Sequence, residues 1–121
     1  MNATGIDLKQ EIMRINNIIN IGMFGTGLRK QRVVLVEDMV IISADHKRIP
    51  ALAALDAKYR DITRNVDAAI LNEYKERLKA ELMAQLQLRV KCVLKDYDPG
   101  QEMALTVVIL DEAACKKCCD K

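Results

Sequence analysis

With 121 residues and a net charge of +2, the chain is long enough for one domain with a buried core, and too near neutral for its total charge to imply a polyanionic partner. Half of the residues are apolar and 30% are charged, a globular balance, yet aromatic residues make up only 3% and Trp is absent. The core must therefore come from Val, Ile, Leu, Met and Ala, and with only Phe24, Tyr59, Tyr74 and Tyr97 available to stack on bases, nucleic acid is disfavoured as a partner.

Residues 1–10 carry no apolar stretch, so no cleaved secretory signal is expected. The longest apolar run, residues 33–44, is interrupted by Glu37 and Asp38 and falls far short of the ~20 residues a spanning helix needs. These features suggest a cytoplasmic protein without a transmembrane segment, soluble or peripheral at a membrane surface. Four cysteines without a leader point to a reducing compartment, where thiols stay free, bind metal or do redox chemistry.

Leu8, Ile12, Ile15 and Ile19 recur at helical spacing and predict a first helix over about residues 6–21, ended by Gly22, Gly25 and Gly27. Two β-branched runs, 32–36 and 39–44, flank Glu37 and Asp38 and predict a β-hairpin. Its strands are apolar on both faces, so each face should be covered. From Ala51 to Leu88 there is no Gly or Pro. Leu52, Leu55, Tyr59, Ile62, Val66, Ile70, Tyr74, Leu78, Leu82 and Leu86 keep a helical period along that stretch. Unbroken, such a helix would run about 55 Å, longer than a domain of this size is wide, so it must kink or find a partner chain.

The turn signal Asp98-Pro99-Gly100-Gln101 predicts a second hairpin that pairs Leu94 with Leu105, Cys92 with Val107 and Val90 with Ile109, leaving Arg89, Lys91 and Lys95 on the other face. The order α-β-β-α-β-β implies an α+β fold with an antiparallel sheet and one long helix. Residues 1–112 form the expected single domain, and residues 113–121 a Cys-rich, flexible tail.

Folding the first hairpin about Glu37 and Asp38 brings the segment near Arg29 toward His46. Arg29, Lys30, Arg32, His46, Lys47 and Arg48 then gather at one end of the sheet, beside Gly25 and Gly27, whose backbone N–H groups would be open to an anion. A small anion or an acidic protein segment suits this cluster; a solvated basic edge that deters strand pairing is the other reading. The tail residues Cys115, Cys118 and Cys119 have a spacing that can hold zinc or iron or cycle between dithiol and disulfide, but a second ligand pair is missing. His46 is the only histidine and no nucleophile signature accompanies it, so no catalytic residue is assigned and no cofactor is required. The carboxylates Asp56, Asp61, Asp67, Glu73, Glu76 and Glu81 alternate with Lys and Arg as on an ordinary wet helical face.

Phe24-Gly25-x-Gly27, the Val-Leu-Val-x-Asp-x-Val-Ile stretch over 34–41 and the closing hairpin resemble the small bacterial MpsC-like domain family, named for a membrane-potential-generating system, over about residues 12–110. Leu28 stands where that family carries a proline, and Pro50-Ala51-Leu52 where it carries a Leu-Thr entry to the long helix. The resemblance implies a non-catalytic cytoplasmic accessory acting beside a membrane ion-translocating complex. Taken together, the sequence suggests a homo-oligomeric binding or accessory protein that associates through the long helix and binds an anion or partner at the basic cluster. A small thiol-redox or metal-binding protein using the tail is the alternative.

Overall fold

The computed structural model describes residues 5–112. Its elements are α1 (Gly5–Phe24), β1 (Lys30–Val36), β2 (Met39–Asp45), α2 (Pro50–Asp56), α3 (Arg60–Leu86), β3 (Val90–Asp98) and β4 (Met103–Leu110). The strands form one antiparallel sheet in the spatial order β1-β2-β4-β3, so the α+β class and the long helix stand as expected. The apolar stripe of α1, Leu8, Ile12, Ile15 and Ile19, is buried together with Tyr74, Leu78 and Leu82 of α3 against Val33, Val40, Ile42 and Val108 of the sheet.

The first hairpin has the anticipated register, with Val33 opposite Ile42 and Lys30 opposite Asp45. The second does not. Leu94 faces Val107, Cys92 faces Ile109 and Val90 faces Leu110, and Asp98 closes the ladder against Met103. The turn is therefore two residues longer than the proline-glycine signal implied. The Asp98 side chain accepts hydrogen bonds from the Gly100 and Gln101 N–H groups, 2.9 and 3.2 Å. Glu102, in the left-handed region at φ 54°, is held by the sheet end: its carbonyl accepts from the His46 N–H at 2.9 Å and its carboxylate from the Arg48 N–H at 2.7 Å.

A second departure matters more. Between Val90 and Cys92 the ladder slips, and Lys91 is an extra residue in β3. Because side chains alternate along a strand, one extra residue reverses the facing of everything beyond it. Cys92 and Leu94 turn outward and are exposed, whereas Val93, Lys95 and Tyr97 point toward the helices. The expectation that Cys92 lies inside the sheet and Lys95 outside is thereby inverted.

The stretch after Pro50 is two helices rather than one, broken at residues 57–59 without Gly or Pro. Buried Arg48, with 7% of its side chain exposed, supplies the reason. It donates to Asp56 through Nε at 3.0 Å and Nη2 at 2.8 Å, and to Asp67 through Nη1 at 2.6 Å. In a continuous helix these carboxylates would stand about 16 Å apart along the axis, beyond the reach of one guanidinium. Bending the chain lets both meet it, and Arg60 adds a 3.0 Å bond to Asp67. Asp56 and Asp67 thus leave the wet helical face to which sequence pattern assigned them, while Glu73 stays there and pairs with Arg77 at 2.7 Å.

The long-helix stripe divides at this bend. Leu52, Tyr74, Leu78 and Leu82 are buried, whereas Leu55, Tyr59, Ile62 and Val66 remain exposed. Across the α1–α3 seam the Tyr74 hydroxyl donates to Asn16 Oδ1. Asn16 Nδ2 donates in turn to Gln31 Oε1 at 3.1 Å, and Gln31 Nε2 to the Met13 carbonyl at 3.0 Å, joining both helices to β1 through polar groups shielded from water.

Arg48→Met should lower stability in urea unfolding, because it leaves the Asp56 and Asp67 carboxylates without the guanidinium that joins them. Hydrogen bonding from Arg48 holds the Asp56 carboxyl at about 2, below its ordinary 3.8. This contribution is complete above about pH 4 and is lost as pH falls toward 2, so the variant should show a shallower acid limb than the parent. Parallel limbs would contradict the coupling.

Candidate functional site

The inward turn of β3 creates a cleft between the sheet end and α3. Phe24, His46, Arg48, Asp67, Ile70, Leu71, Tyr74, Lys95 and Tyr97 supply most of its lining, and its cavity volume is about 30 Å³, open at the mouth. An edge-on aromatic series forms one wall: the Phe24 and His46 rings lie 4.3 Å apart at 70°, and those of His46 and Tyr97 5.6 Å apart at 84°. The Tyr97 hydroxyl donates to the His46 carbonyl at 2.7 Å, which fixes the bend after β2.

The charges in the cleft do not balance locally. Arg48 and Arg60 are matched by Asp56 and Asp67, and Arg29 sits 3.9 Å from Glu102. Lys95 has no hydrogen-bond or ion-pair partner among the described residues. Its ammonium lies instead over the Tyr74 ring, 3.4 Å from the centroid, a contact that offsets part of the lost hydration. Burial lowers its pKa from 10.5 to about 8. Burial, and next the charge of Lys95, lower the pKa of His46, which favours the neutral imidazole. At neutral pH the cleft therefore carries close to one uncompensated positive charge against aliphatic and aromatic walls.

The basic cluster expected from sequence is only partly assembled. Gly27, Arg29, His46, Lys47 and Arg48 line an adjoining surface groove that shares Phe24, His46 and Arg48 with the cleft. Lys30 and Arg32 stand at the same end of the sheet but, by alternation from buried Val33, on the opposite face. Both glycines have structural roles. Gly25, at φ 81°, bonds its N–H to the Ile21 carbonyl at 2.8 Å and ends α1 in the left-handed region. A Cβ at Gly27 would stand 2.7 Å from Asn17 Oδ1, the atom that accepts the Leu28 N–H. Arg48 is already neutralised by Asp56 and Asp67.

Cys115, Cys118 and Cys119 lie outside the described residues, and among those described no group of three His, Cys, Asp or Glu could hold a metal ion. Sequence reasoning missed Lys95. The signal that could have found it is the pair Asp96 and Asp98: a short carboxylate is harder to bury than a lysine whose stem is apolar, so turning the aspartates outward turns Lys95 in. No family model, no curated protein and no solved structure matches the chain, which leaves the chemistry of the cleft to bear on function.

Protonated Lys95 is disfavoured in the fold, so below pH 8 its full cost is present. Between 8 and 10.5 the unfolded chain still holds a proton that the fold has shed, and stability should climb, by up to about 3 kcal/mol. Lys95→Met should be more stable than the parent at pH 7 and lack this climb in denaturant titrations at successive pH values. A variant that keeps the climb would place its origin elsewhere.

Proposed function

We propose that the protein binds a small organic monoanion, with Lys95 as its charge anchor and the Phe24, Ile70, Leu71 and Tyr97 surfaces receiving the ligand's apolar body. The observation that carries this reading is the ammonium held without a counter-charge of its own in a cleft whose walls are mainly apolar and whose other charges, Arg48 and Asp67, are paired with each other. An isolated buried cation is expensive, and a carboxylate seated against it would recover that cost. The apolar walls suit a carboxylate with a short chain or ring better than a phosphate, whose remaining oxygens would face hydrocarbon, and the small interior has no room for a nucleotide. The exposed cations Arg29 and Lys47 line the neighbouring groove and would draw anions toward the mouth.

This is a binding role without a catalytic residue. It keeps the anion-binding character suggested by the basic cluster and moves its centre from the glycine segment to the inner face of β3. As an accessory protein, the molecule would respond to the level of a carboxylate in its surroundings. The lowered pKa makes that response pH-dependent, because the anchor loses its charge as pH rises through about 8.

Titration with butyrate, hexanoate, benzoate and inorganic phosphate, followed calorimetrically at pH 6.5 and 9.5, tests the reading. Carboxylates with an apolar body should bind at pH 6.5 and weaken at least tenfold at 9.5. Lys95→Met should abolish binding, while Arg29→Ala and Lys47→Ala should change it less than threefold. Equal binding by the parent and Lys95→Met, or a preference for phosphate lost in the Arg29 and Lys47 variants, would return the site to the outer basic groove.

A further inference from the structure

α1 and α3 pack on one face of the sheet, with α2 against α3, and among the described residues no helix covers the other face. The registers arrange that open face in four rows across the order β1, β2, β4, β3. Val36, Met39, Ile109 and Cys92 form the first, and Val34, Ile41, Val107 and Leu94 the second. The third is Arg32, Ser43, Leu105 and Asp96, and the fourth, at the open end, Lys30, Asp45, Met103 and Asp98. Val36, Leu94, Leu105 and Met103 are among the most exposed large apolar side chains. Half of the face is thus continuous apolar surface bordered by charged residues, the pattern of an interaction site.

The occupant is indicated by the charges beside that patch. In the two polar rows Arg32 and Lys30 supply the β1 end, Asp96 and Asp98 the β3 end, and Asp45 stands between them, while exposed Lys91 lies at the far end of β3 beside the first row. A two-fold axis parallel to the strands, running between β2 and β4, would lay β1 of one copy over β3 of the other with the rows in step. Arg32 would then meet the mate's Asp96, Lys30 its Asp98, and the two apolar rows would meet their own counterparts. A two-fold axis across the strands would instead set Lys30 over Val36. Four strands at about 4.8 Å and four outward rows at about 6.8 Å span roughly 19 by 27 Å, near 500 Å² in plan before corrugation. Two copies would together hide somewhat more than about 1,000 Å², enough for a specific interface.

We infer that the protein is a homodimer whose two sheets pack face to face through Val34, Ile41, Leu94, Leu105, Val107 and Ile109, aligned by the Arg32–Asp96 contacts. Such packing is the ordinary way for two antiparallel sheets to share a core about 10 Å thick. It leaves the Lys95 cleft, on the helical face, open in both copies, so it stands or falls independently of the ligand reading.

Sedimentation velocity on the full chain at 5–50 µM tests the inference, and circular dichroism reports on folding. The parent should sediment as a dimer. Val107→Lys, which changes an outward side chain, should give a folded monomer. Arg32→Glu and Asp96→Lys should each weaken the dimer about tenfold by setting like charges opposite one another. An equimolar mixture of those two variants should associate more tightly than either alone, because their heterodimer restores an opposite-charge pair on each side. A parent that is monomeric throughout would overturn the inference. So would a dimer indifferent to Val107→Lys, which would place association on the exposed helical residues Leu55, Tyr59, Ile62 and Val66, or a mixture no tighter than its components.

Discussion

The extra residue in β3 is the constraint on which the rest of the molecule turns. Without the slip at Lys91, alternation would send Lys95 and Tyr97 to the open face and Cys92 and Leu94 into the core. With it, a lysine and a tyrosine are carried under α3, where Tyr74 and the His46 ring meet them. The same slip assigns Asp96 to the outer face opposite Leu105 and completes the apolar second row with Leu94. One backbone irregularity thus builds the cleft on one side of the sheet and finishes a docking surface on the other.

Around this slip the charged groups settle by how many partners each finds. Arg48 collects two carboxylates from helices that would otherwise be one, and its charge is spent on architecture. Lys95 finds none and rests on an aromatic face. The presence or absence of a partner leads to opposite pKa directions: the guanidinium is raised, chiefly by its bond to Asp56, and the ammonium is lowered by lost hydration alone. A cation already paired has little to offer a ligand, whereas an unpaired one gains from every anion that reaches it. This contrast moves the functional reading from the conspicuous basic segment to a lysine in the middle of a strand.

The parts of the fold written in short-range pattern were legible. Apolar spacing marked α1, and β-branched runs about Glu37 and Asp38 set both strands and their register, because a two-residue loop leaves little freedom. The register of the second hairpin escaped for two reasons. Its turn is lengthened by Asp98 and by tertiary bonds to Glu102 from His46 and Arg48, more than fifty residues away in sequence. Its strand β4 is apolar at odd and even positions alike, so alternation could not reveal a slip in its partner. The bend at 57–59 was equally hidden, since it answers to Arg48 and not to any breaker residue nearby. In the site, His46 and Arg48 were legible as neighbours; that Arg48 is consumed by carboxylates, and that Lys95 lies beside them, depends on long-range placement.

Side-chain NMR of protein carrying ¹³C at lysine Cε, with Lys95→Met to assign the resonance, reports the ionisation of this one amine directly. If the slip in β3 places Lys95 beneath α3 without a counter-charge, its resonance should titrate with a midpoint near pH 8. A Lys95 midpoint near 10.5 would mean that the amine is in water and that the inward facing of β3 is wrong.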